Sequence, residues 1–206
     1  MDEWEKGQNG YLYDANHDPE IVKKHLNCLN LCDALNRLPP LKREEREQML
    51  RTIIREIGPG FDILSPFFCD FGENIHIGKN FYANHNLSIL DGGRVTIGDS
   101  VFIAPNVVLT TAGHALDSEQ RDRGLEIALP ITIGSHVWIG ANVCVLPGVT
   151  VGSHVVIGAG SVVTKDIPDH VIAVGNPCRV LRRITEEDRH KYPVWEEEQS
   201  APGGLE

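Results

Sequence analysis

The stretch from Ile131 to Ile167, ITIGSHVWIGANVCVLPGVTVGSHVVIGAGSVVTKDI, decides the fold. An aliphatic residue returns at every sixth position: Ile133, Ile139, Val145, Val151, Ile157 and Val163. Four places after the first four of these stand Val137, Val143, Val149 and Val155, and a glycine follows the lead residue at Gly134, Gly140, Gly152 and Gly158. A helix advances about 100° per residue, so six residues turn the side chain by about 240° and scatter the valines over several sides. A strand alternates faces every second residue, and an even period keeps each lead residue on one face. The pattern therefore predicts short flat strands joined by corners, a parallel β-helix of hexapeptide repeats in which each coil covers its neighbour's apolar face. The glycines are expected at the corners, where φ must be free.

Working outward, the rhythm reaches back more loosely through Phe71, Ile77, Ala83 and Ile89. Two extra residues near Gly92-Gly93 shift its phase before it resumes at Ile97, Ile103 and Leu109. From Leu109 to Ile133 is 24 positions, a multiple of six, so the polar excursion between them can leave and rejoin the coils in register. A long loop in a repeat body is more often functional than idle. After Val163 the pattern ends at Lys165-Asp166-Ile167-Pro168, followed by an apolar run from Val171 to Val174.

The first 60 residues read as helical. Asp18-Pro19-Glu20 is a start signal, a capping carboxylate before a proline at the first helical position. Ile21, Val22, Leu26, Leu29, Cys32 and Leu35 then recur at helical spacing up to Pro39-Pro40. A second helix is expected from Lys42 to Ile57, with Arg43 to Glu47 solvated, stopping at Gly58-Pro59-Gly60. Two such helices cannot close a core alone, so they are expected to lie on the β-helix as a cap. A last short helix is expected to begin at Thr185, with a disordered tail from Glu196. The resulting organisation is a helical cap at 1–60, a β-helix at 61–184 with an inserted loop at 111–130, and a C-terminal helix and tail at 185–206.

The chain has 206 residues and a formal net charge of −10, which excludes a broad phosphate-binding face for nucleic acid. No run of about 18 apolar residues occurs, and the reading is of a soluble, cytoplasmic protein without membrane contact. Five cysteines, Cys28, Cys32, Cys69, Cys144 and Cys178, match neither a disulfide framework nor paired CxxC zinc motifs, and are expected to be reduced and packed as small hydrophobes. His136 and His154 are 18 apart, one coil, and are expected to stack, exposed, at a corner.

Beyond periodicity, the runs Asn74-Ile75-His76-Ile77-Gly78, Phe81-Tyr82-Ala83-Asn84, Ile103-Ala104-Pro105-Asn106-Val107, Gly113-His114 and Pro130-Ile131-Thr132-Ile133-Gly134 carry a resemblance. So do Ile157-Gly158-Ala159-Gly160-Ser161, Thr164-Lys165-Asp166-Ile167-Pro168, Gly175-Asn176-Pro177-Cys178-Arg179-Val180 and, near the start, Gly10-Tyr11-Leu12-Tyr13-Asp14. Together they resemble the maltose and galactoside O-acetyltransferases over almost the whole chain. The resemblance implies a left-handed β-helix, a homotrimer, and acetyl-CoA as acetyl donor in clefts between subunits, with no metal required.

By the same resemblance His114 is the general base, and acceptor and donor react directly without an acyl-enzyme. Imidazoles ordinarily titrate near pH ~6.5, which suits removal of a hydroxyl proton as attack proceeds. Asp14, Asp70, Asn84 and Asp91 correspond to acceptor-binding positions. Asp70 stands where the galactoside enzymes can have Ser, and Asp91-Gly92 where they have two acidic residues, so sugar preference does not transfer. The donor positions are Trp138, the backbone of Ala141 and Ala159, Thr164, Lys165, Arg179 and Arg182. A backbone N–H at Ala141 would suit the thioester oxygen as charge develops, and the basic groups suit phosphates.

Three rival readings remain. A hydroxylated antibiotic could replace the sugar as acceptor. A trimeric scaffold without activity would need the valines but not His114, Asn84 and the basic spot together. A zinc enzyme like the gamma-class carbonic anhydrases would need an H-x4-H pair, and no two of the nine histidines are five apart.

Overall fold

The computed structural model describes residues 1–194; the tail from Glu196, expected to be disordered, lies outside them. The coils wind through three faces of parallel strands. The first face stacks Glu56–Ile57, Ile75–Ile77, Val95–Ile97, Ile131–Ile133 and Thr150–Val151. The second stacks Asp62–Ile63, Tyr82–Ala83, Phe102–Ile103, Trp138–Ile139, Val156–Ile157 and Val171–Val174, and the third Phe67–Cys69, Leu87–Leu90, Val108–Thr110, Cys144–Val145 and Val162–Val163. All six lead residues from Ile133 to Val163 are buried, as are Val137, Val143, Val149 and Val155. The excursion rejoins in register, with Ile133 paired to Ile97 and Val145 to Leu109.

The glycines of the repeat do different work from that expected. The left-handed backbone sits two residues later, at His136, Asn142, His154 and Gly160, with φ of 58°, 59°, 56° and 72°. Gly134 and Gly140 are needed because the next coil is close: a Cβ there would stand 2.7 Å from the carbonyl carbon of Gly152 and 2.6 Å from the nitrogen of Ala159.

The left-handed residues form ladders. Between faces one and two, His136, His154 and a third ring, His170, stack at centroid distances of 4.8 and 4.5 Å. Between faces two and three, Asn86 donates to Asn106 and Asn106 to Asn142, at 2.8 and 3.2 Å.

The corner between faces three and one is irregular. Cys69 to Ile77 and Ile89 to Ile97 are eight-residue steps, so Cys69, not Phe71, leads the first coil's third face. Phe71 turns outward to meet Trp4 edge-on at 5.0 Å. A further coil, which the six-residue count did not include, brings Val171–Val174 under Val156–Ile157.

Three α-helices precede the coils: α1 (Glu3–Gln8), α2 (Pro19–Arg37) and α3 (Arg43–Ile53). Asp18 caps α2, accepting from the N–H groups of Glu20 and Ile21. Its buried stripe is narrower than expected, Ile21, Cys28, Cys32 and Leu35, leaving Leu26 and Leu29 exposed, because a helix lying along a coil offers only one line of contact. α3 stops at Ile53 rather than Ile57, since Glu56–Ile57 already pairs with Ile75–Ile77 as the first parallel strand. Arg46, expected in solvent, is buried.

The helices also satisfy the open edge of the first coil. Arg51 donates to the Ile57 carbonyl at 2.9 Å, Arg46 to that of Ile63 at 3.0 Å, and Asn36 bonds both the N–H and C=O of Phe67 at 2.9 Å. At the other end, Arg179–Arg183 turns back antiparallel on Val171–Val174. The expected C-terminal helix is a 3-10 turn, Glu186–His190, and Thr185 begins it through its N–H, which donates to Asp188. Among the described residues, no helix is long and apolar enough to cross a membrane.

Candidate active site

Every departure from the six-residue rule gathers at the corner between faces three and one, and so does an open cavity of about 310 Å³. The excursion is not a loose loop. Ala112–His114 and Leu125–Ala128 form an antiparallel hairpin with a short helix α4 (Ser118–Asp122) at its tip, and Tyr13–Asp14 adds a third strand. The hairpin register sets His114 directly opposite Glu126. His114 Nδ1 lies 3.9 Å from Glu126 Oε1, within ion-pair reach but beyond a hydrogen bond. Glu126 also accepts from Asn16 Nδ2 at 3.0 Å.

Asp70 enters the cavity from the coil side, facing Tyr13, His25 and Glu126 among its lining residues. Burial, then the charge of Glu126, pushes its carboxyl up to about 6. His25 Nε2 lies 3.5 Å from it. Burial likewise raises the Tyr13 phenol, with Glu126 and Asp70 adding to the effect. A cavity with two carboxylates, an amide and an imidazole at its rim can bind a polyhydroxylated molecule and accept a proton from it.

Three of the four expected acceptor residues, Asp91, Asp14 and Asn84, lie elsewhere. Asp91 is wholly buried and points inward, where its carboxylate accepts the N–H groups of Asp70 and Phe71 at 3.0 and 2.9 Å and so sets the backbone that presents Asp70. Burial raises it to about 7 against the downward pull of its N–H partners at Phe71 and Asn74. Asp14 turns into its own loop, accepting from the N–H of His17 at 2.9 Å and from its ring at 3.0 Å.

Asn84 lies on the second face, beside Tyr82, Phe102 and the exposed ring of Trp138, in a shallow hollow apart from His114. Ala141 and Ala159 stack one coil apart at the next corner, where Gly160 donates to the Ala141 carbonyl at 2.8 Å. Thr164 and the exposed Lys165 follow the last strand of the third face. Arg179 is exposed at the start of the returning strand, and Arg182 is engaged by Asp188 through two bonds of 2.6 and 2.7 Å. Within one chain Asn84 and the donor residues thus lie away from the cavity that holds Asp70 and His114.

Glu126, Tyr13, Asn16 and His25 were missed in the sequence. The antiparallel pairing of the excursion with Tyr13–Asp14 brings the first three together and the packing of α2 against Asp70 and Phe71 adds His25, and no local motif marks either.

Comparison with known proteins bears on the coils and the helical cap. A family profile described as a maltose acetyltransferase hexapeptide capping motif matches residues 6–58, and one for the bacterial transferase hexapeptide (six repeats) matches residues 130–165. The chain is 48% identical over 172 residues to the galactoside O-acetyltransferase of Escherichia coli, covering 84% of this chain and 85% of that one. A crystal structure of a maltose O-acetyltransferase from Clostridium difficile 630 superposes with a TM-score of 0.88 at 45% identity, covering 90% of this chain and 99% of the other. A galactoside acetyltransferase in complex with coenzyme A gives 0.90 at 44%, covering 94% and 96%. Coils of this kind, closed by this helical cap, define a hexapeptide-repeat acyltransferase. Within that class, the chain belongs to the maltose and galactoside O-acetyltransferase family.

Proposed function

We propose that the protein transfers acetyl from acetyl-CoA to a hydroxyl of a sugar such as maltose, glucose or a galactoside, in the cytoplasm, with His114 as general base. The observation that carries this reading is the pairing of His114 with Glu126 at the rim of a cavity lined by Asp70 and Asn16. Glu126 faces the Nδ1 side of the ring, which leaves Nε2 to take the acceptor's proton. The acceptor oxygen then attacks the thioester carbonyl, the C–S bond breaks as the C–O bond forms, and the proton passes from His114 to the departing thiolate. The Ala141 N–H serves the developing oxyanion. Trp138, Ala159, Thr164, Lys165 and Arg179 hold the donor, with Arg182 joining them if it exchanges Asp188 for phosphate.

Asn84 and Trp138 lie on a different face from His114, so one chain does not assemble the whole site. A homotrimer that sets one subunit's second face against its neighbour's irregular corner supplies both halves, and the resemblance implies that assembly. In this arrangement Asp70, Glu126 and a neighbour's Asn84 hold the acceptor, while Asp91 acts on it only by positioning Asp70.

Thiol release from acetyl-CoA, followed across a panel of sugars and hydroxylated antibiotics, tests the proposal. A sugar is expected to give the highest kcat/KM, and sedimentation three chains per particle. Release no faster than spontaneous hydrolysis with every acceptor would end the enzymatic reading. A preference for antibiotics would move the acceptor class and leave His114 in place.

A further inference from the structure

Three thiols meet where the helical cap rests on the first coil. Cys28 and Cys32, one turn apart on the buried stripe of α2, face Cys69, the last residue of the Phe67–Cys69 strand. The Sγ atoms of Cys28 and Cys69 are 3.5 Å apart, those of Cys32 and Cys69 3.8 Å, and all three lie within 4.8 Å of one another. Each is free and at most 4% exposed. Among the described residues this is the one group of three or more metal-binding side chains whose donor atoms converge in this way.

Packing alone does not ask for sulfur here. The column beneath Cys69 on the third face is Ile89, Leu109, Val145 and Val163, all buried and all aliphatic. Two thiolates each about 2.3 Å from one zinc ion at tetrahedral angles stand about 3.8 Å apart, and the separations from Cys69 here are 3.5 and 3.8 Å. A donor set of sulfur alone selects soft ions over magnesium, calcium or manganese. Charge narrows the choice. Three thiolates around a monovalent ion leave two negative charges in a buried site near Asp91, whereas a divalent ion leaves one.

We propose that Cys28, Cys32 and Cys69 form a binding site for a divalent thiophilic d10 ion, zinc or cadmium. Binding breaks three S–H bonds, forms three metal–sulfur bonds and releases three protons to solvent, with no change of oxidation state. The ion ties α2 to the first coil and fixes the strand end that immediately precedes Asp70. The site does not depend on the acetyl-transfer reading.

The test titrates the reduced, full-length protein with cadmium chloride under anaerobic conditions and follows the ultraviolet thiolate-to-cadmium charge-transfer band. One ion per chain is expected, displaced by excess zinc, with a rise in Tm of roughly 5–10 °C once free ion exceeds Kd about 100-fold. Cys32→Val and Cys28→Val, which keep the core apolar, are expected to weaken binding at least tenfold while near-ultraviolet circular dichroism stays native. The Cys144→Ser, Cys178→Ser double variant is expected to bind like wild type. The site is overturned if that double variant loses the band, if the valine variants keep it, or if cadmium lowers Tm by binding the unfolded chain.

Discussion

Two of the three corners of this β-helix are built alike, and the third is not. At the regular corners nearly every coil places one residue in left-handed backbone, and successive coils form ladders there, His136, His154 and His170 at one and Asn86, Asn106 and Asn142 at the other. At the third corner the steps between lead residues vary, and there stand the hairpin, the buried Asp91, the half-buried Asp70 and the cavity. Repetition supplies rigidity, while the irregular corner gathers Asp70, Glu126 and His114 around one cavity. A solenoid can therefore carry a reaction at one edge without weakening the stack.

The sharpest way to test that division is His114→Ala. Acetyl transfer, measured as thiol release, is expected to fall about 10²–10⁴-fold, with Tm unchanged because the side chain is 59% exposed. Retained turnover would remove the irregular corner's claim to the chemistry. Asp91→Ala probes the opposite edge of the same claim. It leaves the N–H groups of Asp70 and Phe71 unpaired in the interior, so denaturant unfolding should show a loss of about 3 kcal/mol. A loss under about 1 kcal/mol would mean that this corner bears no structural load.

A third comparison is made by pH. Because the Asp70 carboxyl sits at about 6 in the folded protein, the folded state binds more protons than the unfolded one between about pH 4 and 6. Stability contributed by the protonated form is therefore complete below about pH 4 and is lost as pH rises through about 6. Asp70→Asn should remove that decline, on the order of 1–2 kcal/mol since the side chain keeps 29% exposure; parallel pH curves for the two proteins would sink the assignment. The smallest effect belongs to a regular corner. Asn106→Ala forces alanine into φ of 62° and breaks the asparagine ladder, and should cost about 1 kcal/mol, whereas Asn106→Gly should be close to neutral. Equal losses for the two would point to the ladder bonds rather than the backbone.

The coils were legible because burial repeats every six residues, so Ile133 to Val163 announce themselves without any long-range information. The eight-residue step from Cys69 to Ile77 was not, since a two-residue insertion looks like noise until strand pairing reveals it. His114 stood out through a family motif, but Glu126 did not, because only antiparallel register puts it across from the ring. Asp91 was legible as an acid and illegible in direction: whether a corner carboxylate turns to solvent or to backbone N–H groups depends on the coil above it. The meeting of Cys28, Cys32 and Cys69 likewise follows from where α2 lands, which no spacing along the chain records.

The side chains of Asn36, Arg46 and Arg51, which occupy backbone groups of the uppermost strands, also limit the molecule's growth. A parallel stack has no intrinsic last layer, and a bare top rung would accept the bottom rung of another copy as readily as its own continuation. With those three residues on one end and a reversed strand on the other, the stack ends as a discrete particle, and a chain stripped of its first 55 residues should self-associate through the one end it bares.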